Sequence, residues 1–133
     1  MKLVNRETDY AIQALLFMAK TDKIITCREL KAELTMPQPF LRKIMQILTK
    51  NNILTSCKGK GGGFVLQKSP KKLFLTDIMR IFQGNFSIKE CLRNRKLCPE
   101  IKICSLRRKL DSIEKLLANE LEKITIYSLL YDS

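Results

Sequence analysis

The 133 residues include no histidine and no tryptophan. Without histidine there is no Ser-His-Asp triad, no Cys-His nucleophile and no histidine-ligated zinc. No apolar run approaches the ~20 residues needed to cross a bilayer. Residues 1 to 20 lack the basic, apolar and small-residue order of an export signal. A cytoplasmic chain is therefore expected, in a compartment that disfavours disulfides. Glycine fingerprints of the Rossmann or Walker kind are also missing, which argues against a redox enzyme or electron carrier built on a nucleotide. No helix-forming stretch pairs a basic face with a bulky Phe/Trp face, which argues against a peripheral membrane protein.

Acid is scarce as well. Asp and Glu total 13 against 25 Lys and Arg, for a net charge of +12. An excess of that size favours a polyanionic partner. The imbalance is also segregated. Between Leu34 and Leu75 there is no carboxylate at all, while Arg42, Lys43, Lys50, Lys58, Lys60, Lys68, Lys71 and Lys72 fall in that stretch. Residues 110 to 133 instead carry five acidic residues and two lysines. A randomly solvated surface would not sort its charge this way.

Forty-five per cent of the residues are hydrophobic and 29% charged, a globular balance. Tyr10, Ala11, Ala14, Leu15, Met18 and Ala19 recur at helical spacing, predicting a helix over 7–21. Thr26 followed by Glu29 has the spacing of a capping box and starts a short helix through Leu30 and Leu34. Thr35 and Met36 break it. Pro37 and Pro39 suit the first turn of a further helix, where backbone N–H groups have no partner in any case. That helix continues to about Asn51, with Phe40, Leu41, Ile44, Met45 and Leu48 inward. Two β-prone runs, 53–58 and 64–67, flank a glycine-rich turn and predict a hairpin. A helix over 75–82 is expected to be capped near Thr76 and closed by Gly84. A long amphipathic helix is expected over 105–125.

The expected class is mainly α with a small β-hairpin: a winged helix-turn-helix plus a long C-terminal dimerisation helix. Three regions follow. Residues 1–84 form the DNA-binding module, 85–104 a cysteine loop, and 105–133 the dimerisation helix and tail. Duplex DNA and a second copy are the expected partners, with no membrane. In the recognition helix, Gln38, Arg42, Lys43, Gln46 and Lys50 are the candidate contacts; in the wing they are Lys58, Gly59, Lys60 and Gly61. Arg suits guanine and Gln suits adenine, but Arg42 and Lys43 are equally suited to phosphates alone. The wing glycines allow positive φ and close approach to the duplex. Leu106, Leu110, Ile113, Leu117, Leu121 and Ile124 step by fours and threes along the last helix as an apolar stripe, and self-association is an easy way for so small a domain to bury more surface.

The runs Phe40-Leu41 through Asn52-Ile53-Leu54 and Lys58-Gly59-Lys60-Gly61-Gly62-Gly63-Phe64-Val65-Leu66 resemble the Rrf-type winged-helix regulators, which include IscR-like, NsrR-like and CymR-like repressors. Met1-Lys2-Leu3, Tyr10-Ala11, Leu75-Thr76-Asp77-Ile78 and the closing residues 121 to 129 extend the resemblance over essentially the whole chain. It implies a homodimer on a palindrome-like operator, with the Leu106-to-Ile124 stripe of the long C-terminal helix as the expected dimer seam. It also implies that Cys91, Cys98 and Cys104 hold an iron–sulfur cluster, of the [2Fe–2S] or [4Fe–4S] type. The chain departs from that pattern at three places. Six residues separate Cys91 from Cys98, where five is usual. Arg107 stands where IscR-like members carry a histidine ligand. Arg42 stands where they carry an acidic residue, so their operator does not transfer. NsrR-like members use an acidic residue on the first helix, from the other subunit; the matching position is Asp9, with Glu7 nearby.

The residues themselves agree in part. Clusters are normally held by four ligands, so three thiolates need a fourth from a carboxylate, a small molecule or a partner. Lys89, Arg93, Arg95, Lys96, Lys102, Arg107 and Arg108 would favour thiolates and offset a cluster's negative charge. A thiol-redox role, a zinc site or no role at all are the alternatives, as is a cluster-free regulator controlled by a protein partner. Cys27 and Cys57 read as ordinary small apolar residues.

Overall fold

The computed structural model describes residues 3–21, 23–59, 62–84 and 105–131. Helix α1 (Arg6–Thr21) opens where the Asn5 side chain accepts a hydrogen bond from the Thr8 N–H at 2.8 Å, satisfying one of the unpaired donors of a first turn. Its Ala11, Ala14, Leu15 and Met18 are buried, at the spacing expected of one helical face.

Helix α2 (Cys27–Glu33) begins at Thr26, whose hydroxyl accepts from the Glu29 N–H at 3.1 Å. The Glu29 carboxylate in turn accepts from the Thr26 hydroxyl at 3.3 Å. Helix α3 (Gln38–Lys50) starts after Pro37 and buries Leu41, Ile44, Met45 and Leu48. The chain leaves it through Asn52, whose φ of 63° is the left-handed conformation that asparagine tolerates best after glycine.

Strands β1 (Leu54–Cys57) and β2 (Gly63–Leu66) pair antiparallel, with Leu54 opposite Leu66 and Cys57 opposite Gly63. A third segment joins this ribbon. Ile25 and Phe64 exchange both backbone hydrogen bonds at 2.8 Å, tying the connection ahead of α2 to the wing.

A 3-10 turn (Pro70–Lys72) leads to α4 (Leu75–Gln83). The cap of α4 is Phe74, not Thr76: the Asp77 carboxylate accepts from the Phe74 N–H at 3.3 Å. Gly84 closes the helix with φ of 78°. Helix α5 (Ser105–Leu121) stops four residues before the expected end at 125. Helical spacing persists through Ile124, but the backbone leaves the helix to pair with the segment ahead of α4. The Leu75 N–H donates to the Ile124 carbonyl and the Ile126 N–H to the Leu73 carbonyl, both at 2.9 Å. Thr125 and Ser128 then cap each other reciprocally at 3.0 Å and start α6 (Ile126–Tyr131), which the sequence pattern had not separated. Ile126 is fully buried in the main core with residues of α1 to α4.

The register of the wing depends on Gly63. A Cβ there would sit 2.5 Å from the Ile25 carbonyl oxygen, a backbone atom that cannot swing aside. Gly63→Ala is expected to break the Ile25–Phe64 pairing and cost about 1–3 kcal/mol, the range for forcing an atom into a filled site. Denaturant unfolding measures this, and an unchanged midpoint would contradict the pairing.

Candidate nucleic-acid interface

The buried stripe of α3 fixes its rotation, and rotation decides what faces solvent. With Leu41, Ile44, Met45 and Leu48 inward, Arg42, Lys43, Gln46 and Lys50 are all exposed. Gln38 and Pro39 in the first turn join Arg42, Lys43 and Gln46 around one shallow surface depression. Five of the residues expected to contact DNA are thus on one helix, four of them around that hollow. None of Arg42, Lys43, Lys50 and Lys58 forms an ion pair with a carboxylate among the described residues. Ion pairs such as Arg80 with Asp77 and Lys123 with Glu120 lie on other elements.

The wing carries Lys58, exposed, and Gly59 at φ of +99°. The Gly62 N–H closes the turn on the Gly59 carbonyl at 2.9 Å. Lys60 and Gly61 lie outside the described residues. Lys71 belongs elsewhere: its ammonium sits 4.8 Å from the centre of the Tyr127 ring on α6, a cation–π contact that ties the 3-10 turn to the C-terminal helix.

One contact that governs α3 has no local sequence signal. Tyr10 of α1 meets Phe40 edge-on, ring centres 5.5 Å apart, and holds the first turn of α3 against α1. The pairing spans two helices, so only a tertiary arrangement brings the rings together.

Cys27 and Cys57 are half-buried free thiols. Burial pushes the Cys27 thiol up from its ordinary value, and the opposing positive charge of Arg42 does not overcome it. That favours the neutral thiol, in keeping with a packing role. Cys91, Cys98 and Cys104 lie outside the described residues. Among the described residues no three metal-ligating side chains gather. Asp9 is exposed, and its carboxylate accepts from the Gln13 amide at 3.1 Å.

On α5, Leu106 and Ile113 are 62% and 48% exposed, and Leu116, absent from the expected seam, is 63% exposed. Leu110 and Leu117 are half-buried. Leu121 and Ile124 pack within the chain against Leu75, Met79 and Ile12. The exposed part of the seam is therefore Leu106 and Ile113, with Leu116 beside them. No helix among the described residues is long and apolar enough to cross a membrane.

Comparison with known proteins places the chain in context. A family model described as Rrf2, an iron-dependent transcriptional regulator, matches residues 4–132. A provisionally named HTH-type transcriptional regulator of Aquifex aeolicus is 30% identical over 124 residues, covering 91% of this chain and 86% of its own. The HTH-type transcriptional regulator NsrR of Bacillus subtilis is 26% identical over 132 residues, covering 97% and 90%. Among solved structures, a provisionally named transcriptional regulator of Listeria innocua superposes with a TM-score of 0.83 at 24% identity, covering 100% of this chain and 88% of its own. CymR, the global cysteine regulator of B. subtilis, superposes at 0.74 with 18% identity, covering 100% and 99%.

The exposed positions on α3 permit substitution without loss of fold. Arg42→Gln with Lys43→Gln is expected to shift stability by no more than about 0.5 kcal/mol. It should lower the slope of log affinity against log salt by about 2 per bound chain if both residues meet phosphates. A base contact by Arg42 would instead cost about 1–3 kcal/mol on the matching duplex and leave a random one untouched. Binding titrations on both duplexes separate the two, and unchanged binding to both would remove α3 from the interface.

Proposed function

Because the chain belongs to the Rrf2 family of transcriptional regulators, and so is a DNA-binding regulator and not an enzyme, we propose that α3 and the β1–β2 wing hold the operator and that a homodimer does so under control of an iron–sulfur cluster. The observation that carries the DNA reading is the α3 face itself: exposed Arg42, Lys43 and Lys50 with no carboxylate partner among the described residues. Desolvating them against phosphate breaks no ion pair among the described residues. Release of counterions from the duplex supplies the affinity, and the first turn of α3 supplies the sequence reading.

Two copies would meet along α5. Leu106, Ile113 and Leu116 leave an apolar surface that the other described residues do not cover, and burying it is favourable. The same meeting fixes the distance between two recognition helices, which must match half-sites about one turn of DNA apart.

Control by iron rests on the family description and on chemistry in the loop 85–104. Cys91, Cys98 and Cys104 would supply three thiolates and Asp9 of the other copy a fourth ligand, leaving no room for histidine, which the chain lacks. The cluster would add a negatively charged centre that oxidants and nitric oxide can dismantle. Gln83, one residue before Gly84 and the loop, accepts from the Asn5 N–H at 3.0 Å and the Thr8 hydroxyl at 2.8 Å, and donates to the Leu3 carbonyl at 2.9 Å. The end of α4 is thus pinned to the start of α1. From there Tyr10 reaches Phe40 in α3. The end of α4 thus has a packed route to the recognition helix, and cluster binding becomes a switch only if the loaded and empty proteins bind DNA differently.

Anaerobic reconstitution tests the cluster: visible absorption with stoichiometric iron and sulfide is expected, lost in Cys98→Ala, with at least about 10-fold between loaded and stripped affinities for the operator, or about 1.4 kcal/mol. A colourless, iron-free product rules the cluster out, and equal affinities rule out the switch. In the same preparations Leu110→Asp with Leu117→Asp should sediment as a monomer, because the seam would bury charge. An unaltered sedimentation coefficient contradicts the α5 interface.

A further inference from the structure

Arg6 opens α1 and is exposed. Its guanidinium carbon lies 5.4 Å from the centre of the Tyr10 ring and 5.9 Å from that of Phe40. Its Nε donates to the Tyr10 hydroxyl at 3.4 Å. Phe40 is in the first turn of α3, between Pro39, which lines the shallow depression, and the buried Leu41. The two rings therefore form a shelf that carries the Arg6 charge to the end of α3 expected to meet the duplex.

A guanidinium has five N–H donors. The Tyr10 hydroxyl takes the one on Nε, and the two terminal nitrogens make no hydrogen bond or ion pair to another described residue. Glu7 and Asp9 share the first turn of α1 but do not pair with Arg6; Asp9 is engaged by Gln13. An arginine that only fastened α1 to α3 would have no need of an exposed charge, since Tyr10 and Phe40 already touch. Held within 6 Å of two ring centres and hydrogen-bonded to the Tyr10 hydroxyl, it loses less side-chain freedom on meeting an anion than a free one would.

We infer that Arg6 is a phosphate clamp: it grips the DNA backbone beside the recognition helix, from a different helix, and sets the register of α3 on the duplex. This rests on the assignment of α3 as the recognition helix. Phosphate contacts position without reading sequence, so the effect should be the same on any duplex.

The experiment is equilibrium binding of the intact protein, between 50 and 200 mM salt, to a duplex from its own upstream region and to a random duplex of equal length. Arg6→Gln should reduce the slope of log affinity against log salt by about 1 per bound chain, so that across this range the wild type loses about 3.5-fold more affinity than the variant. Both duplexes should respond alike, and Arg6→Lys should restore the slope. Melting temperature serves as the control for a merely structural role. An unaltered slope in Arg6→Gln overturns the inference, whether or not the melting temperature falls. If Arg42→Gln lowers the slope and Arg6→Gln does not, only the clamp is lost. If the wild type binds neither duplex, the α3 assignment fails and takes the clamp with it.

Discussion

The burial of one face of α3 constrains everything else. Leu41, Ile44, Met45 and Leu48 are each at most 1% exposed, and each buried side chain of this size stabilises the fold by about 1.5–3 kcal/mol. Turning the helix by one residue, about 100°, would carry Ile44 into the exposed place of Lys43 and Arg42 into the buried place of Leu41. Placing an unpaired guanidinium there costs several kcal/mol. The helix therefore has one rotation, and in that rotation its cations point outward. The interface is the reverse side of the core.

The same logic positions the wing. A two-stranded ribbon alone is marginal in water. Here it gains a third partner from Ile25 and a glycine that permits the approach, so Lys58 is presented from a fixed base. Ile25 precedes α2, and α2 leads into α3, so the wing and the recognition helix share one anchor. At the other end, Gln83 fastens the exit of α4 to the first turn of α1, and Tyr10 passes that constraint to Phe40. The end of α4, the first helix and the recognition helix are linked by contacts that are short and polar at one end and aromatic at the other.

Local signals in the sequence were enough for the helix-turn-helix and the wing. The Thr26–Glu29 spacing, Pro37 with Pro39, and the glycines after Lys58 each act within a few residues, and each marks an element the structure contains. Contacts between distant segments were not legible. Leu117, Leu121 and Ile124 keep helical spacing, so a single helix to 125 was the natural reading; the pairing of Thr125 with Phe74 ends it at Leu121. That pairing also turns Leu121 and Ile124 toward the chain's own core. Lys71 counted toward the basic stretch, yet Tyr127, far away in sequence, draws it to α6. Arg6 lay outside that stretch altogether, and only the Tyr10–Phe40 shelf brings it to the recognition helix.

Amide hydrogen exchange of the intact protein, with and without duplex DNA from its upstream region, tests the central claim most directly. Slowed exchange across residues 38–50 and 54–66 on adding DNA, with 126–131 unaffected, is the predicted result. Slowing confined to α5 and α6, with α3 exchanging as it does in the free protein, would contradict it.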